Sequence, residues 1–173
     1  MHLETERLLL VPTPLHVLQT RLERTDFTAN VDMPGGPMMV HFPAEWPGDA
    51  LVTFEHKIVT FDPARPTWGG TLVHKADRRA IGQLSFKGGP DEQGTVELGY
   101  GLNPAYHSQG YATEMVRAML AFARSHPEVR QVTAETRVDN LASMRVLEKT
   151  GFVRAGARWC DEDGALIRWA LPD

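Results

Sequence analysis

A change of hydrophobic period between residues 96 and 138 constrains the fold of this 173-residue chain more than any other feature. Residues 96–102 and 131–138 each predict a short strand. Between them, apolar residues recur at helical spacing on one face: Ala112, Met115, Val116, Met119, Leu120 and Ala123. A strand, a helix and a strand in this order predict a right-handed crossover, whose two strands lie parallel in one sheet.

The segments around this crossover predict a single mixed α/β domain over residues 1–173, with a mixed, mostly antiparallel sheet and flanking helices. Strands are predicted at 7–11, 68–74, 80–86, 152–159 and 166–171, and helices at 15–26, 49–61 and 140–149. We expect residues 33–47, with four prolines and two glycines, to form an irregular loop that exposes apolar side chains.

Charge and cysteine content exclude several classes of function. The chain has 18 basic and 22 acidic residues, a net charge of −4, so the sequence predicts no nucleic-acid partner. Cys160 is the only cysteine and the histidines lack metal-ligand spacing, so we predict no disulfide and no metal. The apolar run at residues 8–11 is too short for a membrane anchor or a secretory signal, which makes a cytoplasmic protein the simplest interpretation.

The loop at residues 103–110 runs directly into the amphipathic helix. The first turn of a helix leaves backbone N–H groups without partners, and Gly110 and Ala112 would let a bulky anion approach them. The spacing of glycines does not fit a dinucleotide fingerprint or a phosphate-binding loop that ends in Gly-Lys. The residues alone therefore indicate either a phosphate-like ligand or an ordinary helix start.

Two motifs, at residues 96–114 and 140–152, resemble those of the GNAT superfamily of acyl-CoA-dependent N-acetyltransferases. The order and separation of the motifs agree with that family, and residues 4–8 are also similar to its ribosomal-protein N-terminal acetyltransferase branch. The resemblance implies a GNAT-like fold in which the strand at 96–102 splays from the strand at 131–138. Two positions differ from the usual pattern: His107 begins the glycine-containing signature, and Ser108 follows where glycine is common.

The resemblance also implies acetyl-CoA as cosubstrate and identifies candidate binding residues. The pantetheine arm would pair with backbone near Leu102, the pyrophosphate would bind the turn, and Asn140 would cap a helix and touch the cofactor. The candidate turn residues are Gln109, Gly110, Tyr111, Ala112 and Thr113.

For catalysis, Glu97 is the candidate general base, and the resemblance implies Ser143 as the group near the sulfur. Glu97 alternates with Gly99 and Gly101 on one strand face, which would keep the surface over its carboxylate clear. Glu135 and residues 161–163 are alternative bases, and the latter are expected at a hairpin tip. Leu147 stands where many relatives have a proton-donating tyrosine.

We therefore predict an N-acetyltransferase that acetylates a primary amine by direct attack in a ternary complex, with a non-catalytic acyl-CoA-binding module as the alternative. The acceptor is either a small molecule or a peptide, and a homodimer stays open. At pH 7 an α-amine is neutral about one time in ten and a lysine about one in 2,500, which favours peptide N-termini. We expect the 33–47 loop and the 160–164 hairpin to shape the acceptor pocket.

Overall fold

The structure, a computed structural model, describes residues 1–172 and divides the chain into two compact units. The first contains residues 1–85 and 100–111, and the second contains residues 86–99 and 112 onward. Strands and helices are numbered in chain order, and a few of them have residues in both units. Each unit is described by itself.

The first unit is built on antiparallel strands in the order β1-β2-β5-β6, with a hairpin of β3 and β4. Its elements are β1 (Leu3–Glu4), β2 (Leu8–Val11), α1 (Leu15–Glu23), β3 (Phe27–Val31), β4 (Met38–Phe42), a 3-10 helix (Gly48–Thr53), α2 (Phe54–Val59), β5 (Gly69–His74), β6 (Arg79–Phe86) and a 3-10 helix (Pro104–Tyr106). All four residues of β2 are buried, which explains why this segment reads as a continuous apolar run.

The expectation of an irregular loop over residues 33–47 is wrong for residues 38–42. Residues 38–42 form β4, which pairs with β3, and Val40, Phe42 and Trp46 are fully buried. Phe42 stacks on Phe27 at 5.0 Å between ring centroids and meets Trp46 edge-on at 4.7 Å. The prolines at 37 and 43 flank this strand and do not interrupt it, so proline content concealed a buried hairpin.

The second unit contains the crossover that the sequence predicts. Its elements are β7 (Thr95–Leu102), α3 (Tyr111–Arg124), β8 (Gln131–Arg137), α4 (Leu141–Lys149), β9 (Val153–Cys160) and β10 (Gly164–Ala170), of which β7 and α3 extend into the first unit. The apolar face of α3 is buried, with Met115, Met119 and Ala123 fully inaccessible. The strands β7 and β8 are parallel, whereas β8, β10 and β9 follow one another antiparallel. The predicted mixed α/β fold is therefore confirmed.

Pairing between the two parallel strands covers only part of their length. The ladder begins at Thr95 with Gln131 and ends at Leu98 with Ala134. Residues 135–137 of β8 continue in register with β10. The ladder pairs of the second unit therefore end at Leu98 on β7.

A β-bulge in β9 decides which way its arginines point. Arg154 pairs with Trp169 and Gly156 with Arg168, so residue 155 is extra. Gly156 has φ +144°, a conformation that glycine adopts most readily. Arg154 consequently lies over the Trp169 ring, while Arg158 lies on the opposite face of the sheet and binds Glu135.

Among residues 1–172, no helix is both long and apolar enough to cross a membrane.

Candidate active site

The turn before α3 has an unusual backbone at two alternate residues. Ser108 has φ +59° and Gly110 has φ +82°, both in the left-handed region. The Gln109 side chain folds back, and its Nε2 donates to the Ala105 carbonyl at 3.0 Å. Residues 107–110 are exposed, so the backbone of this turn is open to a ligand. Such a turn at a helix N-terminus is suited to an anion.

The strain at Ser108 leads to the first prediction. We expect Ser108→Gly to raise the free energy of unfolding by about 0.5–1 kcal/mol. The left-handed backbone is sterically unfavourable for a residue with a Cβ atom, whereas glycine adopts it freely. Urea unfolding of both proteins measures the difference. Ser85 provides the control, because it is not among the residues with positive φ. Ser85→Gly should lower the free energy of unfolding. A Ser108→Gly protein less stable than the parent would contradict this account.

The other predicted turn residues differ in what they expose. Tyr111 and Ala112 are each only 8% exposed, and Thr113 is half-buried. Ala112 and Tyr111 can therefore offer a ligand little beyond their backbone groups. This agrees with a binding mode that depends on amides, in which the side chains at these positions pack inward.

The carbonyl of Leu102 already has a partner in the turn. His107 Nε2 lies 2.8 Å from this oxygen, so the imidazole at the position that differs from the family pattern links the turn to the end of β7. A carbonyl oxygen has a second lone pair, which leaves capacity for another donor. The structure thus brings Leu102 and the turn together.

Glu97 lies on β7 opposite Thr133 and is half-buried, with 34% of its side chain exposed. Its Oε1 is bound by the Lys87 ammonium, a partner that sequence reasoning missed. The expectation that glycines keep this face clear is only partly right, because a Cβ on Gly99 would lie 3.1 Å from Lys87 Cε. Gly99 therefore makes room for the lysine that reaches Glu97. Lys87 is one residue beyond β6, and its backbone N–H donates to Glu97 O at 2.8 Å, so the pairing of these two segments brings the lysine to the carboxylate.

Glu135 is held by two arginines. Both of its carboxylate oxygens accept from Arg158 at 2.7 Å, and Arg168 lies at 3.8 Å. The hydrogen bonds from Arg158 lower the pKa of Glu135, and the charges of Arg158, Lys87 and Arg168 act in the same direction. A carboxylate with a lowered pKa is a weaker base, which argues against Glu135 as the general base.

The other alternative base, the acidic run at 161–163, forms the exposed turn between β9 and β10, as expected.

Asn140 and Ser143 are joined at the start of α4. The Asn140 side-chain oxygen accepts from the Ser143 backbone N–H at 3.1 Å, which is the predicted helix cap. Ser143 is half-buried, and Leu147 one turn later is fully buried. No hydroxyl is available at position 147, so the serine is the hydroxyl that α4 offers near its N-terminus.

Within residues 1–172, no group of three or more histidine, cysteine, aspartate or glutamate side chains could hold a metal ion.

A family model described as an acetyltransferase (GNAT) domain matches residues 20–153, more than three quarters of the chain. The chain belongs to the GNAT acetyltransferases. The resemblance of the two sequence motifs to that family is therefore confirmed, and acetyl transfer is the general activity of the proteins it resembles.

Curated relatives of this GNAT protein are bacterial N-acetyltransferases. It is 31% identical over 113 residues to the uncharacterized N-acetyltransferase YjdG of Bacillus subtilis, a match covering 63% of this chain and 67% of the relative. It is 29% identical over 85 residues to the ribosomal-protein-serine acetyltransferase of Escherichia coli, covering 49% and 47%. The matched segments thus span between about half and two thirds of these relatives.

Solved structures agree on the fold. A GNAT-family acetyltransferase from Bacillus anthracis superposes with a TM-score of 0.67 at 20% identity, covering 99% of this chain and 98% of the other. RimL, a ribosomal alpha-N-protein acetyltransferase in complex with coenzyme A, has a TM-score of 0.68 at 16% identity, covering 98% and 97%. At these identities the likeness shows the fold.

Proposed function

We propose that this GNAT protein transfers the acetyl group of acetyl-CoA to a primary amine by direct attack in a ternary complex. The observation that carries the proposal is the turn at residues 107–111, with left-handed backbone at Ser108 and Gly110 and an exposed surface before α3. A phosphate ester needs backbone amides and room at a helix start, and the left-handed residues and exposed surface of this turn support such a site. The coenzyme A in the RimL complex supports the same ligand for this fold.

The residues of the second unit can supply the proton transfers. The amine nitrogen attacks the thioester carbonyl and the C–S bond breaks, so one proton must leave the nitrogen and one must reach the sulfur. Glu97 takes the first, directly or through a water, and Ser143 relays the second to the sulfur while its own hydroxyl takes a proton from solvent. Lys87 neutralises Glu97 in the free protein, and an incoming ammonium group would compete with Lys87 for the same carboxylate.

A peptide N-terminus is the acceptor that this chemistry favours. Glu97 is partly solvated and paired with a cation, and it suits an amine that needs little help to lose its proton. The α-amine meets that requirement better than the lysine side chain. The name of the E. coli relative, a ribosomal-protein-serine acetyltransferase, supports a protein acceptor.

Turnover distinguishes this proposal from a non-catalytic acyl-CoA-binding module. Thiol release from acetyl-CoA is measured with a panel of peptides, polyamines and aminoglycosides, beside calorimetric binding of acetyl-CoA. The proposal requires both binding and amine-dependent thiol release. Binding without release across the panel would favour the binding module, and the preferred amine identifies the acceptor class.

Replacing Ser143 tests the proton donor. We expect Ser143→Ala to leave the affinity for acetyl-CoA within twofold and to slow the chemical step by about 10- to 100-fold, because the departing thiolate loses its donor. Rapid-quench single-turnover kinetics measure that step. Since the cap uses the Ser143 backbone N–H, the variant keeps it. An unchanged single-turnover rate would remove Ser143 from the mechanism.

A further inference from the structure

Arg7 reaches the turn before α3 from a position about a hundred residues earlier in the chain. Its Nη1 donates to the Gln109 carbonyl at 3.1 Å. Its guanidinium lies 4.3 Å from the centre of the Tyr111 ring, and its Nη2 would be 3.5 Å from a Cβ on Gly110. One side chain therefore contacts three consecutive residues of the turn.

The hydrogen bond to Gln109 determines which way an amide of the turn faces. In a trans peptide the carbonyl and the following N–H point in opposite directions. Binding of the Gln109 oxygen by Arg7 consequently directs the Gly110 N–H away from the arginine. Glycine at φ +82° tolerates other orientations of this peptide, so the turn needs a group that holds it in one of them.

A hydrogen-bonded network supports the same turn from the other side of Tyr111. The Tyr111 hydroxyl lies 3.1 Å from His74 Nε2, and His74 Nδ1 lies 2.9 Å from the Asp77 carboxylate. Asp77 also meets this nitrogen through its backbone N–H, which donates to His74 Nδ1 at 3.4 Å, so His74 connects Tyr111 to Asp77. Tyr106 also donates to Asp77, at 3.0 Å, and burial together with this bond raises the pKa of Tyr106 to about 12. The Tyr111 ring is thus held between Arg7 and His74.

We propose that Arg7 is a positioning residue for binding of the diphosphate of acetyl-CoA, acting through the orientation of the Gln109–Gly110 peptide. This inference rests on the proposed function, because it takes the turn to be the diphosphate site. It assigns a role to the N-terminal segment, and none of the site residues predicted from the sequence lies in that segment. Arg7 therefore contributes to binding of the diphosphate half of acetyl-CoA and does not act on the reacting thioester.

The test compares acetyl-CoA with S-acetylpantetheine, which lacks the diphosphate. Arg7→Met keeps an unbranched apolar stem and removes the guanidinium, with its hydrogen bond and charge. We expect kcat/KM for acetyl-CoA to fall about tenfold through KM, with kcat little changed, and kcat/KM for S-acetylpantetheine to stay within twofold. Arg7→Lys, which keeps a donor and a charge, should recover part of the loss.

Lys75 provides a matched control in the same region. Its ammonium binds Glu4 at 2.6 Å and the Thr5 carbonyl at 3.2 Å, so it secures the N-terminal segment without contacting the turn. Lys75→Met should leave the ratio of the two substrates unchanged. An equal loss with both substrates, or no loss with either, would overturn the positioning role. A parent protein that binds no coenzyme A would instead overturn the proposed function.

Discussion

Glu97→Gln is expected to lower turnover at pH 7 by about 10²- to 10⁴-fold, an increase in barrier of about 3 to 5 kcal/mol. The substitution keeps the size of the side chain and removes the group that accepts the amine proton. The affinity for acetyl-CoA should hardly change, because the carboxylate acts on the acceptor. Steady-state rates with one identified acceptor, together with calorimetric binding of acetyl-CoA, measure both quantities.

The pH dependence of this variant identifies the base. Raising the pH should partly restore the rate of Glu97→Gln, because a larger share of the acceptor is then already neutral. The recovery should be larger for a peptide α-amine than for a lysine over the same range. Identical pH–rate profiles for the parent and the variant would assign the base to another group. Among the alternatives, Glu135 is disfavoured, because Arg158 lowers its pKa.

Lys87→Met separates catalysis from the ion pair. It removes the partner of Glu97 and leaves the carboxylate in place. An exposed ion pair contributes about 0–1 kcal/mol, so we expect turnover within a few-fold of the parent. A loss as large as that of Glu97→Gln would show that the pair, and not the base, is what the site requires.

Gly110→Val is expected to weaken binding of acetyl-CoA by at least about 100-fold. A β-branched residue is strongly disfavoured at φ +82°, so the turn must change its backbone, and the new side chain would also occupy space beside Arg7. The amides that would bind the diphosphate would no longer converge. Isothermal titration calorimetry of the folded variant measures the loss.

Gly48→Val is the matched control for this loss. Gly48 also has positive φ, at +63°, and a Cβ there meets nothing within 4 Å. The control therefore introduces similar backbone strain outside the turn and should bind acetyl-CoA like the parent. Unchanged affinity in a folded Gly110→Val protein would place the diphosphate elsewhere.

Much of the fold was predictable because local patterns coincide with tertiary burial. The apolar stripe of α3 and the alternation in β8 identify one buried face each, and both elements lie within a residue or two of the predicted limits. The hairpin of β3 and β4 was not predicted, and this has a physical cause. Phe42 of β4 packs on Phe27 of β3 and on Trp46, which lies beyond the strand. Phe27 is 15 residues earlier in the chain, and hydrophobic periodicity does not report a contact between two strands at that separation.

The candidate site also has features that the sequence predicts and contacts that only the structure shows. Sequence alone located the turn, the cap at Asn140 and the carboxylate on β7, because each depends on a short segment with its own backbone chemistry. Only the tertiary structure decided which distant side chains reach them: Lys87 at Glu97, Arg158 at Glu135 and Arg7 at Gln109. Lysine and arginine side chains have many rotamers. Their partners are determined by strand register and by bulges such as the one at Gly156. Those are properties of the assembled sheet, which no window along the chain contains.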